Sequence, residues 1–314
     1  MALKRRARAG GRWRLGAATA FCLAISGTAA AAQPGPIGAE PLQQFGAQLQ
    51  IEPKRIVLTP DRPEGRITLG MPWGEADFDV TLVDRIMLPD GRILAVSESA
   101  GEAEAPEVIN RLRSARSFVA AAPADVALKA GDPAADVRVA LTAPPAEPGE
   151  YRTHLTITAR TPPDEGTATR LAWAHTIPVI VRVGPVDARG AIENARVEMR
   201  EVANGQGLPV RQRVLVCDLV RTGANSLFGD LTLHGRDGLV VPVASGIGVY
   251  AELERRHMAF PLNGAASGIV ELRYTDRDAR PGEVIATAQV NLSPVVTADV
   301  RGGAPAPMHE TADD

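Results

Sequence analysis

Short apolar runs bounded by glycine and proline recur along most of this sequence. The chain holds 30 glycines and 25 prolines among its 314 residues. Both residue types interrupt helices, and few stretches keep the apolar period of a helix for long. The apolar runs are 51–58, 66–69, 78–83, 92–96, 137–141 and 151–158. Runs this short, separated by turns, are typical of antiparallel sandwiches, so the sequence predicts an all-β fold.

Two segments between these runs carry predictions of their own. Pro89-Asp90-Gly91 has the composition of a tight turn, because proline fixes one backbone angle and glycine tolerates a positive φ. Residues 106–118 are expected to form either one short helix or an extended loop, since their apolar period is brief.

Residues 1–32 have the order of a cleavable secretory signal. They contain no acidic residue and carry their basic residues before an apolar run at 15–25, which small residues at 27–32 follow. The basic residues are Lys4, Arg5, Arg6, Arg8, Arg12 and Arg14. The apolar run is too short to span a bilayer comfortably, and no run of about 18 apolar residues follows it. We therefore expect a soluble protein that is exported to the periplasm.

The charge balance argues against an anionic partner. The whole chain has 34 basic and 37 acidic residues, a net charge of −3. Loss of the six basic residues of the signal leaves 28 against 37 acidic residues, a net charge of −9. An acidic protein is a poor ligand for nucleic acid or for an anionic membrane surface. We expect neither nucleic-acid binding nor membrane insertion.

Cysteine use agrees with a fold that needs no disulfide. Cys22 would leave with the signal, and Cys217 would then have no partner within the chain. Cys217 ends the apolar run 214–217. We expect its thiol to be buried and to pack as a small hydrophobic group.

An internal repeat suggests two copies of one sandwich. Residues 137–141 are followed by Pro148-Gly149-Glu150, and residues 270–274 are followed by Pro281-Gly282-Glu283 at a constant offset of 133 residues. Residues 184–187 have the composition of a linker. The predicted organisation is the signal 1–32, a flexible lead-in 33–47, sandwiches 48–185 and 186–300, and a disordered tail 301–314.

The sequence shows no catalytic motif. Histidines occur at positions 154, 175, 234, 257 and 309, without the spacing of a metal site. There is no G-x-S-x-G motif, and the glycine-rich segment 244–248 lacks the lysine of a phosphate loop. Asp276-Arg277-Asp278 resembles only the start of a calcium loop. We expect no enzyme, no cofactor, no metal and no small-molecule substrate.

One predicted strand is a candidate for binding. Alternate residues of 171–183 place an apolar ridge on one face, which suits either a core strand or a binding role. The ridge consists of Leu171, Trp173, Ile177, Val179, Val181 and Val183. Pro178 has no N–H to donate, so the strand is expected to keep a free edge there. A free edge can accept a strand from another chain.

In this order the motifs resemble the periplasmic pilus-assembly chaperones of chaperone–usher systems, the PapD-like family of two immunoglobulin-like domains. The matching segments are 51–58, 117–139, 148–163 and 177–185. Together they cover most of residues 48–186. The resemblance implies two tandem immunoglobulin-like β-sandwiches.

The resemblance also implies roles for single residues. Leu171, Trp173, Ile177 and Val179 would form the strand that is lent to an incomplete pilin fold. Arg55, with Lys54 beside it, would bind the C-terminal carboxylate of the subunit. The family's second anchoring residue, a lysine, falls on Pro178, so Lys54, Arg152 or Arg182 would have to compensate. Arg182 would join an interdomain salt bridge whose acid is expected at or beside Arg160.

Two functions follow from these observations. The first is a periplasmic chaperone that binds and stabilises exported pilus subunits in the interdomain cleft. Its partners would be a secreted pilin-like subunit and an outer-membrane usher. The second is a non-catalytic periplasmic or surface immunoglobulin-like module without a pilin client, which the proline in place of the anchoring lysine favours.

Overall fold

The computed structural model describes residues 49–160, 174–203, 208–236, 238–262 and 268–293. The predicted signal, the lead-in and the tail lie outside these ranges, as do Leu171 and Trp173. The described residues form eighteen strands, one α-helix and two short 3-10 turns, so the predicted all-β class is confirmed. No helix among them is long and apolar enough to cross a membrane.

The first sandwich is built from the N-terminal half of the chain. Strands β1 to β11 are β1 (Gln50–Glu52), β2 (Ile56–Leu58), β3 (Glu64–Gly70), β4 (Glu75–Val83), β5 (Arg85–Met87), β6 (Ile93–Ala95), β7 (Val119–Ala122), β8 (Asp125–Lys129), β9 (Ala135–Leu141), β10 (Gly149–Ala159) and β11 (Ala174–Val183). One sheet has the order β1-β3-β9-β7 and the other has the order β2-β11-β10-β4-β8. Phe78, Leu155 and Ile157 are fully buried between them.

The second sandwich follows β11 in the chain. Its strands are β12 (Gly190–Ala203), β13 (Pro209–Arg221), β14 (Leu227–His234), β15 (Val240–Val249), β16 (Arg255–Pro261), β17 (Ile269–Asp276) and β18 (Val284–Asn291). Its two sheets have the orders β12-β13-β16 and β15-β14-β17-β18. Leu215, Leu219 and Tyr274 fill the core, and Cys217 is buried among them as the sequence predicts.

The predicted run 51–58 is divided between two sheets. β1 pairs with β3 in an antiparallel ladder, whereas β2 pairs in parallel with β11 in the opposite sheet. Pro53 lies in the connection, and proline cannot donate a hydrogen bond to a ladder. The first strand of the sandwich therefore changes sheets between residues 52 and 56.

The internal repeat does not relate equivalent strands, so that prediction is wrong. β9 and β10, the first copy, lie in different sheets. β17 and β18, the second copy, are antiparallel neighbours in one sheet. A proline-glycine-glutamate turn can precede a strand in either arrangement, because it specifies only local backbone geometry. The two sandwiches are nevertheless present.

The connection from β4 to β7 is an insertion that we call the interdomain strap, residues 84–118. It contains the hairpin β5–β6 and helix α1 (Ala105–Arg111). The turn predicted around Pro89 is confirmed, since the amide of Gly91 donates to the carbonyl of Leu88 at 2.8 Å and Gly91 has φ 87°. Of the two alternatives for residues 106–118, a short helix or an extended loop, the structure has a short helix that begins at Ala105. The strap packs against the second sandwich.

Candidate functional site

Part of one edge of β11 has no neighbouring strand among the described residues. β10 pairs with β11 along its whole length, Ala174–Val183. On its other side, β2 pairs only with Val179, Ile180 and Val181. Within the described ranges no strand pairs with residues 176–178 on this side, and these residues form what we call the free edge of β11, at the place where the sequence predicts one. The gap exists because the first strand of the chain lies in the opposite sheet up to Glu52 and joins this sheet only at Ile56, opposite Val179.

The apolar ridge of β11 lies inside its own sandwich. Ile177 and Val179 are 3% and 0% exposed and belong to the core of the first sandwich. Alternation turns this face toward the opposite sheet. The role of these two residues as donors stays a prediction. Leu171 and Trp173 lie outside the described residues.

Lys54 lies beside the free edge. Its side chain is exposed, and it precedes β2 by two residues. Burial lowers the pKa of His175, which lies on β11, and the positive charge of Lys54 lowers it further. Ile56 lies opposite Val179 in the parallel ladder, so Lys54, two residues earlier, lies toward the start of β11.

Arg55 is paired within the chain. Its guanidinium contacts the carboxylate of Asp278 at 2.6 Å and the hydroxyl of Ser226 at 3.4 Å. It also lies over the ring of Phe228, 4.7 Å from the centroid. All three partners belong to the second sandwich. A carboxylate from another chain would have to displace Asp278 in order to bind this guanidinium.

Arg182 joins the same network. Its Nε donates to Glu150 at 2.8 Å and its Nη2 donates to Asp278 at 2.6 Å. Burial raises the pKa of Asp278, but Arg55 and Arg182 outweigh burial, so the pKa is lower than usual. The acidic partners of Arg182 are therefore Glu150 and Asp278. The sequence suggested an acid at or beside Arg160 instead. Arg160 lies at the opposite end of β10 and pairs with Asp79 at 2.7 Å.

A second buried ion pair lies beside the first, and no sequence pattern predicted it. Arg152 of β10 pairs with Glu252, and the two side chains are 3% and 2% exposed. The guanidinium of Arg152 lies 3.7 Å from the centroid of the Tyr250 ring. The guanidinium of Arg152 therefore contacts Glu252 and Tyr250 of the second sandwich, and its charge is paired within the chain.

His154 completes this cluster. Its imidazole lies 3.3 Å from the guanidinium of Arg152 and 3.4 Å from the hydroxyl of Tyr250. Burial lowers the pKa of His154 well below its usual value, and Arg152 and Arg85 lower it further. The imidazole is thus neutral between two arginines, which suits a buried packing role.

The charges of these networks are largely matched. Arg55 and Arg182 face Asp278 and Glu150, while Arg152 faces Glu252. Of the three residues expected to compensate for Pro178, Arg152 and Arg182 have acidic partners within the chain, and Lys54 is exposed.

The turn 276–280 is held by hydrogen bonds from its backbone amides to the side chain of Asp276. The carboxylate of Asp276 accepts hydrogen bonds from the amides of Asp278 at 2.9 Å and Arg280 at 2.7 Å. The resemblance to the start of a calcium loop thus reflects a turn that positions Asp278. Within the described ranges, no group of three or more histidine, cysteine or acidic side chains could hold a metal ion.

The protein consists of two β-sandwiches joined by buried ion pairs. Its fold is similar to that of chaperones of chaperone–usher pili. The CupB2 chaperone of Pseudomonas aeruginosa shares 13% identity, with 77% of this chain and 99% of that chain covered and a TM-score of 0.39. The E. coli chaperone DraB shares 14%, with 77% and 97% covered and a TM-score of 0.37.

A third structure contains a chaperone with its subunit. The CsuC–CsuE chaperone–tip complex from the archaic chaperone–usher Csu pili of Acinetobacter baumannii shares 14% identity, with 78% of this chain and 98% of the matched chain covered and a TM-score of 0.39. No family model matches the chain. No curated protein matches it either. Likenesses this distant do not assign a function to this chain.

Proposed function

We propose that this protein is a periplasmic chaperone that binds an exported pilin-like subunit through the free edge of β11. The observation that carries the proposal is that, among the described residues, no strand pairs with residues 176–178 on the side of β11 opposite β10. A strand from the subunit would extend the five-stranded sheet by backbone hydrogen bonds. Residues 1–32 would direct export.

Lys54 is the proposed anchor for a subunit carboxylate. It is exposed beside the open edge, whereas Arg55 is held by Asp278. A charge-assisted contact of this kind contributes about 1.5–3 kcal/mol. Leu171 and Trp173, which lie outside the described residues, are the proposed donor side chains on the strength of the family resemblance. An outer-membrane usher would receive the complex.

The test is co-purification with a pilin-like subunit encoded beside this gene. The two chains are co-expressed with export signals, and the subunit recovered with tagged chaperone is measured. Lys54→Glu and Trp173→Asp should each reduce recovery. Lys129→Glu is the matched control, because Lys129 is an exposed lysine of β8 at the opposite edge of the same sheet. Full recovery with both test variants would refute the proposal.

A second candidate is a non-catalytic binding module with no pilin client. The observation that favours it is the ion pair between Arg55 and Asp278, which occupies the guanidinium that the chaperone family would offer to a subunit. This candidate predicts that no pilin-like or usher-like gene lies nearby and that the purified protein recovers no subunit.

A further inference from the structure

The tip of the interdomain strap is part of the core of the second sandwich. Ile86, Met87 and Leu88 are 0%, 3% and 1% exposed, and they cluster with residues such as Leu253 and Met258. The strap is inserted between two strands of the first sandwich. Burial of three large apolar side chains against the second sandwich stabilises this contact.

Polar contacts fix the strap in register. The amide of His257 donates to the carbonyl of Pro89 at 2.7 Å, which joins the strap to β16. The amide of Met87 donates to the carboxylate of Glu252 at 3.4 Å, and α1 contributes an ion pair between Arg111 and Glu254 at 3.4 Å. The strap therefore touches the second sandwich through its hairpin and its helix.

Gly91, at the turn of the hairpin, lies directly against Arg256. A Cβ atom at Gly91 would lie 2.5 Å from Nε and Nη2 of Arg256. Arg256 is 8% exposed, and its Nη1 donates to the carbonyl of Gly248 at 2.8 Å. The guanidinium is thus held between the strap and β15, and an alanine at position 91 would have to displace it.

The base of the strap is tied to the first sandwich. Asp84, where the strap begins, accepts a hydrogen bond from the hydroxyl of Ser114 at 2.7 Å. Arg113 and Ala115 exchange backbone hydrogen bonds with Arg152 of β10, at 2.8 and 3.1 Å. Arg152 is the residue that pairs with Glu252, so the base of the strap and the central ion pair meet at one position.

The second sandwich is thus attached to the first at two places, one on each side of the sheet β2-β11-β10-β4-β8. Arg55 and Arg182 hold the side that contains β2 and β11, and the strap, which leaves the end of β4, holds the other side. Rotation about either attachment would break the other. We propose that the strap locks the two sandwiches into a single rigid body that unfolds cooperatively, so that a partner meets a preformed junction. This inference does not depend on which partner binds.

The test compares Gly91→Ala with Gly131→Ala. Both glycines have a positive φ, 87° and 89°, but a Cβ at Gly131 would meet nothing within 4 Å. Gly131→Ala therefore measures backbone strain alone. In calorimetry the wild type and Gly131→Ala should each show one transition, whereas Gly91→Ala should show two. Two transitions in the wild type, or one in Gly91→Ala at the midpoint of Gly131→Ala, would overturn the proposal.

Hydrogen exchange reports release of the strap directly. In Gly91→Ala the amide of His257 should exchange at least about tenfold faster than in Gly131→Ala, while the amides of β10 keep their protection. Equal protection of His257 in both variants would also overturn the proposal. If Gly91→Ala does not fold, Met87→Ala provides the same comparison, because it removes apolar contact from the strap without backbone strain.

Discussion

Arg182 and Asp278 lie 2.6 Å apart although 96 residues separate them in the chain. Arg182 stands near the end of β11, and Asp278 stands in the turn between β17 and β18. Asp278 uses the same oxygen for Arg55. One carboxylate of the second sandwich thus holds two guanidinium groups of the first.

Removal of this carboxylate should destabilise the protein strongly. In Asp278→Ala, two largely buried guanidinium groups lose a partner, and breaking a buried pair from one side costs about 3–5 kcal/mol. Asp136→Ala is the control, because its partner Arg66 is 70% exposed. Exposed pairs contribute about 0–1 kcal/mol. The free energy of unfolding from urea titration distinguishes the two, and equal losses would contradict the assignment.

Acidification should destabilise the protein through His154. The folded state holds the pKa of His154 well below its value in the unfolded chain, because burial and the neighbouring arginines oppose protonation. The unfolded chain therefore takes up a proton first, and stability falls as pH decreases through about 6.5. One such group contributes up to about 1.4 kcal/mol per pH unit.

The measurement is the free energy of unfolding at several pH values between 7.5 and 5. The decline should be shallower in His154→Gln than in the wild type. A part of the decline should persist, because the pKa of His175 is lowered in the same direction. Tyr250→Phe, which keeps the histidine, should retain the full slope. An unchanged slope in His154→Gln would show that another group is responsible.

The thiol of Cys217 should be inert in the folded protein. Burial raises its pKa to about 12, and the side chain is fully buried. A thiolate is the reactive form, so an aromatic disulfide reagent at pH 8 should not react until urea unfolds the chain. The experiment uses a Cys22→Ser background so that one thiol is counted. Stoichiometric reaction without urea would contradict the burial.

The hydroxyl of Tyr274 should contribute to the stability of the second sandwich. Tyr274 is fully buried, and its hydroxyl donates to the carbonyl of Ile247 at 2.7 Å. Tyr274→Phe leaves that carbonyl without this donor, at a cost of about 1–3 kcal/mol. Thermal unfolding should show the loss, and an unchanged midpoint would indicate that the carbonyl finds another donor.

Local signals in the sequence predicted the local elements well. The turn at Pro89, the short helix after residue 105 and the burial of Cys217 all follow from residue type and nearest neighbours. The free edge at Pro178 was predictable for the same reason, since proline lacks a donor. The repeat failed because similar turns occur in different strand arrangements.

Other features depend on residues that are distant in the chain. No local pattern indicates that Glu252 faces Arg152, or that Asp278 takes both Arg55 and Arg182. Alternation alone predicts that Ile177 and Val179 share one face of the strand. It does not predict whether that face packs inside its own sandwich, as it does here, or against a partner.

By itself, the sequence determined the all-β class, the turn at Pro89 and one open strand edge, because glycine, proline and apolar alternation act on the nearest residues. Only the tertiary structure decided that residues 86–88 leave the first sandwich and pack in the second, and which charges pair across the junction. Those outcomes depend on burial and Coulomb energy between groups that the chain brings together only when it has folded.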